Sequence, residues 1–256
     1  MIQLCVLGSG SSGNCSYISD GQSALLLDAG FSAKEIFRRM KEVGLDPGDL
    51  RGIVISHEHS DHVKGAGVVS RKLDIPVYIN SPTYSKIKNV IGEIKQLINF
   101  ETGSTFALNG ISVNPFSISH DCADPCAFVF EHDATRLGFV TDSGYVTTLI
   151  KEKLKGVDYL VIESNHDPEV LKAGPYPWAL KQRIASRSGH LSNEASAELV
   201  GNILHSDLQG VTFAHLSKTN NNPHLVDVTA RSVLEQGGTP FCVASQDTPG
   251  GMITVK

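Results

Sequence analysis

The chain has no long apolar run, no regular cysteine framework and no excess of positive charge. Each absence excludes something. Without an apolar stretch of membrane length, no transmembrane helix is expected. The first residues enter an apolar segment with no basic leader before it, so no secretory signal is read there and a cytoplasmic protein is the natural expectation. Five cysteines, an odd number at irregular spacings, do not make a disulfide scaffold. A net charge of −5 gives no global basic signature for nucleic acid, although bound dications would reverse the field locally. Linkers, repeats and low-complexity segments are missing too. With 41% hydrophobic and 19% charged residues, the 256 positions suit one domain, residues 1–256, with a full core.

What is present concentrates in residues 53–62, Ile-Val-Ile-Ser-His-Glu-His-Ser-Asp-His. Ile53, Val54 and Ile55 read as a buried strand. Beyond Ser56 come His57, His59, Asp61 and His62. In an extended turn His57 and His59 point the same way and can pinch one ion, while Asp61 and His62 reach a second. Imidazoles with a carboxylate suit Zn²⁺, Mn²⁺ or Fe. A His-rich surface loop would not need to be fed by a buried strand.

Along the chain, a strand over 2–7 leads into Gly8-Ser-Gly-Ser-Ser-Gly13. This has the form of a dinucleotide fingerprint, but it is followed by strand-like Cys15-Ser-Tyr-Ile-Ser, whereas the fingerprint must open a helix. The loop is either a tight turn or a backbone nest for phosphate, with Ser11, Ser12 and Asn14 as contacts. Asp20-Gly21 turns a hairpin, and the next strand ends at Asp28, a carboxylate that is costly after an apolar run unless something holds it. Ser32 and Glu35 form a capping box for a helix reaching Gly44. Further helices are expected over 65–73, 82–91, 147–155, 178–187 and 193–205 and after Asn222-Pro223, with strands over 75–79, 126–131, 136–141, 159–162, 211–214, 240–244 and 252–256. Asn109-Gly110 turns a hairpin within 106–119. Short apolar strands end in Asp28, His57, His120, Asp142, Glu163 and His215. That pattern gathers polar groups at one edge of packed sheets, in an α/β protein with the four layers α/β/β/α.

The His-x-His-x-Asp-His pattern resembles the signature of the metallo-β-lactamase fold superfamily. Its other parts follow in the family's order from Asp28 to His215. The resemblance implies that His57, His59 and His120 hold one divalent ion, that Asp61, His62 and His215 hold a second, that Asp142 bridges them, and that Asp28 braces the ligand loop. Asp142 stands where the true β-lactamases carry Cys, which disfavours antibiotic hydrolysis. His59 stands where the flavo-diiron relatives carry Glu, which disfavours oxygen chemistry. The 22 positions from His120 to Asp142 are too few for the tRNA-gripping arm of ribonuclease Z, and the 48 from Asp142 to His190 leave no room for the extra domain of the β-CASP nucleases.

Ser188-Gly-His-Leu-Ser192, followed later by Ala214-His-Leu-Ser217, is similar to ribonuclease Z and small phosphodiesterases related to it. There the first His, here His190, contacts the scissile phosphate and protonates the leaving group, with an acidic partner at Glu163. Phosphodiester cleavage needs such an acid besides an activated water. Gly-His-Leu-Ser-Asn-Glu with His-Leu-Ser-x-x-Asn-Asn-x-Pro looks like the YycJ/WalJ family, which implies a dinuclear-metal 5′→3′ DNA exonuclease. Its catalytic residues would be Asp61, His190 and Glu163, with a metal-bridging hydroxide attacking phosphorus. Asn165, Asn221 and Asn222 become candidate substrate contacts, though Asn222 could equally cap the helix after it. Between Glu169 and Glu194 there is no acidic residue, but Arg183, Arg187, Tyr176 and the single Trp178 occur there. This stretch could track a nucleic-acid strand, DNA before RNA, or be an amphipathic helix with Trp178 in the core. Cys122-Ala-Asp-Pro-Cys126 admits a redox or extra metal pair, or a plain loop. His132, His166, His205 and His224 read as surface or capping residues. A small-molecule phosphodiesterase and a non-catalytic metal-binding regulator are the rival functions.

Overall fold

Two seven-stranded sheets carry the molecule, and each is part antiparallel and part parallel. In the computed structural model, which describes residues 1–234 and 238–256, the first sheet holds β1 (Ile2–Gly8), β2 (Cys15–Ser19), β3 (Ala24–Leu27), β4 (Leu50–Val54), β5 (Val77–Asn80), β6 (Leu97–Phe100) and β14 (Ile253–Val255). Their order is β14-β1-β2-β3-β4-β5-β6. The second holds β7 (Phe106–Leu108), β8 (Ile111–Ser117), β9 (Cys126–His132), β10 (Thr135–Val140), β11 (Tyr159–Glu163), β12 (Gly210–Ala214) and β13 (Phe241–Val243). It runs β13-β12-β11-β10-β9-β8-β7.

Strand alternation explains the layers. Leu25 and Leu27 of β3 face the second sheet and join Phe128, Phe130 and Phe139 in the central core, while Leu26 between them faces outward. There it meets Ile36 and Met40 of α1 (Ala33–Glu42) and Val69 of α3 (Ala66–Leu73). On the far side, Val129, Leu160, Ile162 and Phe213 pack against α5 (Thr148–Leu154), α8 (Asn193–Ile203) and α9 (Pro223–Leu234). Three apolar layers between four polypeptide layers are the α/β/β/α sandwich. Among the described residues, no helix is long and apolar enough to cross a membrane.

This topology decides where chemistry can sit. β3 and β4 are parallel neighbours in one sheet, and β10, β11 and β12 in the other. The carboxyl ends of parallel strands leave a crevice where side chains converge. Asp28, His57, Asp142, Glu163 and His215 all lie at or just beyond those ends. Asp28, Asp142 and His215 have φ of 59°, 59° and 56°, a left-handed conformation that non-glycine residues adopt at a cost and that clusters at functional sites.

Several local expectations are refined. The Gly8–Gly13 loop leads into β2, so it opens no helix. Ser32 caps α1 by accepting from the Glu35 N–H, but the Glu35 carboxylate does not reach back. It holds Arg38 and Arg39 instead, and Arg39 donates to the Leu7 carbonyl at the end of β1. The elements not anticipated include the edge strand β6 and α6 (Pro168–Ala173), which Asp167 caps.

Candidate metal centre and active site

The local fold of the His-rich stretch follows from its sequence. β4 ends at Val54, a short loop with His59 in an extended conformation follows, and α2 (Ser60–Val63) begins, so His57 and His59 precede a helix that carries Asp61 and His62. Gly30 makes this possible: a Cβ there would lie 1.7 Å from the Asp61 carbonyl oxygen, so only glycine lets the two loops touch.

Four of the five imidazoles are held by one nitrogen and turn the other toward the cluster; His59 has both nitrogens among the other donors. Asp28 accepts from His62 Nδ1 at 2.7 Å and from both the N–H and the hydroxyl of Ser56. With its proton given to Asp28, the Ser56 hydroxyl accepts from His57 Nδ1 at 3.0 Å. His120 Nδ1 donates to the Gly189 carbonyl at 3.0 Å. His215 Nδ1 donates to Glu163 Oε1 at 2.8 Å. Such outer contacts fix tautomer and ring angle in metal sites.

The second nitrogens converge, and that of His62 also meets the Asn14 amide at 3.0 Å. His57 Nε2 lies 3.2 Å and His120 Nε2 3.3 Å from His59 Nδ1. His62 Nε2 lies 3.4 Å from Asp142 Oδ2 and 3.7 Å from Asp61 Oδ2, and His215 Nε2 lies 3.9 Å from Asp61 Oδ2. Asp142 also reaches within 3.9 Å of His120 Nε2, so it stands between the two groups. Two buried atoms in this cluster, Asp142 Oδ2 and His215 Nε2, have no hydrogen-bond partner. A buried carboxylate oxygen beside a bare imidazole nitrogen is costly alone and favourable around a cation. The donor set therefore fits divalent ions, and its nitrogen and oxygen chemistry suits a pair of them.

The two groups differ electrostatically. Burial holds His57 and His120 below the usual imidazole range, and for His57 its histidine neighbours add to this. Burial also acts on His62, but Asp142 and Asp28 outweigh it and raise it to about 9. His215 is raised well above the usual value against its burial, chiefly by Asp142. Asp61, Asp142 and Glu163 are all lowered: burial opposes this, and the neighbouring histidines prevail.

A Beta-lactamase superfamily domain matches residues 24–207. The chain belongs to this family. Exodeoxyribonuclease YycJ of Bacillus anthracis is 39% identical over 239 residues, spanning 93% of this chain and 90% of the relative. Exodeoxyribonuclease WalJ of Streptococcus pneumoniae is 39% identical over 235 residues, spanning 90% and 87%. Among solved structures, the metallo-β-lactamase fold protein YhfI of Bacillus subtilis superposes with a TM-score of 0.77 at 14% identity, covering 99% of this chain and 100% of that one.

In this metallo-β-lactamase fold the surface is hollowed next to the cluster. A cavity of about 190 Å³ is lined by Ser11, His120, Asn165, Tyr176, Arg183 and His190, among others. His190 Nδ1 donates to Glu163 Oε1 at 2.7 Å, which leaves Nε2 uncommitted. Burial opposes charge on His190, but Glu163 and Asp142 outweigh it and raise its pKa. Glu163 is fully buried, and its second oxygen accepts from the N–H groups of Ser143 and Leu191 at 3.1 Å each. One carboxylate thus orients both His190 and His215, a double role the sequence reading assigned only in part.

Other expected contacts are committed elsewhere. Asn221 donates to the Ser164 carbonyl and to Asn193 and accepts from Asn193 and the Asn222 N–H, so it knits the loop together and has no group left for substrate. Asn222 caps α9 by accepting from Leu225 N–H. Asn14 accepts from Ser9 and the Gly10 N–H and points its amide at His62 Nε2, 3.0 Å away, so it supports the ligand loop. The Ser12 N–H donates to Gln246. Asn165 donates to the His215 carbonyl while lining the cavity. Arg183 ion-pairs with Asp121 at the cavity rim, and Arg187 lies over the Tyr145 ring, its guanidinium carbon 4.1 Å from the centroid. Trp178 is 67% exposed on α7 (Trp178–Ile184), which buries no residue, so the core-Trp alternative fails. His166, expected at the surface, is buried.

The Cys122–Cys126 pair separates. Cys126 is buried against Thr102 and Asn80, whereas Cys122 Sγ lies 3.4 Å from His59 Nε2. Cys122 falls within one donor group with His57, His59 and His120. Burial raises its free thiol, and Glu58 and Asp121 add to the effect. Its place two residues after His120 was the signal that could have found it.

Proposed function

We propose that this protein is a metal-dependent phosphodiesterase that removes nucleotides from DNA ends. The observation that carries this reading is His190, on the cavity wall beside the metal donors, with Nδ1 held by Glu163 and Nε2 uncommitted. A site built only to hold ions needs no such group. The names of the two relatives, both exodeoxyribonucleases, supply the substrate.

Divalent ions bound by His57, His59, His120, Asp61, His62, His215 and Asp142 would supply a water-derived nucleophile at neutral pH and neutralise charge at the phosphate. The side chains do the rest. Glu163, kept ionised by its two histidines, holds the His190 proton on Nδ1 and favours the doubly protonated ring. His190 Nε2 then gives a proton to the leaving oxygen. Burial of Glu163 keeps it from taking that role itself. A cavity of about 190 Å³ is small for a whole ligand, so it suits a phosphate and the end of a strand whose remainder lies over the rim. Arg183 and Tyr176 line it and provide a cationic and aromatic surface there.

The test is a time course on end-labelled DNA, with free or phosphorylated 5′ ends, in Zn²⁺ and in Mn²⁺. Mononucleotides should appear from one end, and release from the 5′ end would give the polarity. His190→Ala should lower turnover by ~10²–10⁴-fold, the usual contribution of a general acid, while metal content stays the same. Near-normal turnover by that variant would refute the assigned acid. Failure to cut DNA or RNA, with turnover of a small phosphodiester intact, would refute the substrate.

A further inference from the structure

We propose that Cys122 is a fourth protein donor to the ion held by His57, His59 and His120, and that its sulfur makes this position select a thiophilic ion such as Zn²⁺ over Mn²⁺. The inference rests on the metal-centre reading above and concerns a residue that reading does not use.

Geometry carries it. Zinc–nitrogen bonds of about 2.0–2.1 Å and zinc–sulfur bonds of about 2.3 Å place tetrahedral nitrogen pairs roughly 3.4 Å apart and nitrogen–sulfur pairs roughly 3.6 Å apart. His59 Nδ1 lies 3.2 Å from His57 Nε2, 3.3 Å from His120 Nε2 and 3.8 Å from Cys122 Sγ. All four donor atoms lie within 4.8 Å of one another. The sulfur is not on a free loop. The Ala123 N–H donates to Glu58 Oε1 at 2.8 Å, and the Cys126 N–H donates to the Ser56 carbonyl at 3.1 Å. Both bonds follow Cys122 in the chain and tie its loop to the His57–His59 loop, which keeps the three donors on those loops near one another.

Chemistry gives the selectivity. On coordination the S–H bond breaks, the sulfur–metal bond forms with the sulfur's electron pair, and the proton leaves to solvent. A coordinating thiol is deprotonated by the ion itself. Thiolate favours Zn²⁺, whereas Mn²⁺ prefers oxygen ligands. Three imidazoles and a thiolate would give this position a nitrogen and sulfur donor set, with Asp142 reaching it from the other group. Asp61, His62, His215 and Asp142 offer the other position only nitrogen and oxygen.

The experiment loads the full-length protein with Co²⁺ and compares it with Cys122→Ser. Thiolate bound to Co²⁺ gives a charge-transfer band in the near ultraviolet, and visible ligand-field bands report bound Co²⁺ whatever the donors. The expected result is a charge-transfer band in the parent protein that Cys122→Ser abolishes while its ligand-field bands persist. In competition, Cys122→Ser should lose Zn²⁺ preference over Mn²⁺ by no less than the roughly 10–100-fold that even an outer contact costs. Ligand-field bands without the charge-transfer band in the parent protein would overturn the proposal and leave the metal centre standing. The Cys122–His59 approach would then be an ordinary thiol hydrogen bond. No cobalt spectrum at all would overturn both.

Discussion

The two halves of the donor cluster are made from different materials. One half gathers His57, His59 and His120 with Cys122, and the carboxylate beside it, Asp121, is paired with Arg183. The other interleaves His62 and His215 with Asp61 and Asp142. In the first, burial pushes imidazoles toward the neutral form that binds metal. In the second, carboxylates hold imidazoles in the charged form, so the group is balanced before any ion arrives. The first half is also the more open: the His59 side chain is 30% exposed and the His62 side chain 0%. One cluster thus offers a soft position and a hard position a few ångströms apart, joined by Asp142.

The largest test of this division removes the join. Asp142 is buried and approaches His62, His120, His190 and His215. Asp142→Asn keeps the volume and deletes the charge. Metal content measured on the purified variant should fall at both positions, and DNA hydrolysis should drop by at least the ~10²–10³-fold expected for one preorganised electrostatic group. Retention of one tightly held ion would show that the halves load independently.

A smaller, asymmetric effect is expected at Asp28. It grips His62 directly and His57 only through Ser56. In Asp28→Asn an amide replaces the carboxylate facing His62 Nδ1 and disfavours the tautomer that presents Nε2. Affinity for the second ion should fall 10–100-fold, as for other outer partners, and affinity for the first by less. Calorimetric titration of the metal-free variant reads the two steps separately, and equal losses at both would erase the distinction.

The same division explains what could be read in advance. Four donors of the His57–His62 stretch lie within six residues, so their meeting needs only a strand end and a turn. His120, Asp142, Glu163 and His215 each sit alone at the end of a short apolar strand. They become a site only through the order of strands in the second sheet, which their recurrence and family resemblance indicated and local pattern could not. The same holds for the layers: alternation such as Leu25, Leu26, Leu27 marks a strand buried on both faces, which four layers require. The misses share a cause. Asn221 is polar in a loop beside the site, and whether it faces substrate or Ser164 and Asn193 depends on chain far away in sequence. β6 pairs with one neighbour, β5, and is half-exposed, so it lacks an apolar signature. α6 is only six residues long. Cys122 was weighed against Cys126 because they are close in sequence, while its partner in space is His59.

The smallest effect lies at the rim, where Arg183 links the softer half to the incoming strand. Its guanidinium pairs with Asp121 at 2.7 Å, and Asp121 lies 3.8 Å from His59 Nε2 and 3.5 Å from His120 Nε2. The Arg183 side chain is 58% exposed and that of Asp121 33%, so the pair contributes no more than ~1 kcal/mol and a phosphate can compete for the cation. Arg183→Ala should therefore leave folding and kcat intact and raise KM. It should also reduce the slope of log KM against log salt by about 1, the signature of one lost phosphate contact. Asp121→Asn separates substrate from metal. If Arg183 serves the strand, freeing it should lower KM and steepen the salt dependence. If Asp121 instead steadies His59 and His120, the variant should lose the first ion with no gain in binding. An unchanged salt slope in Arg183→Ala would place the strand on another face.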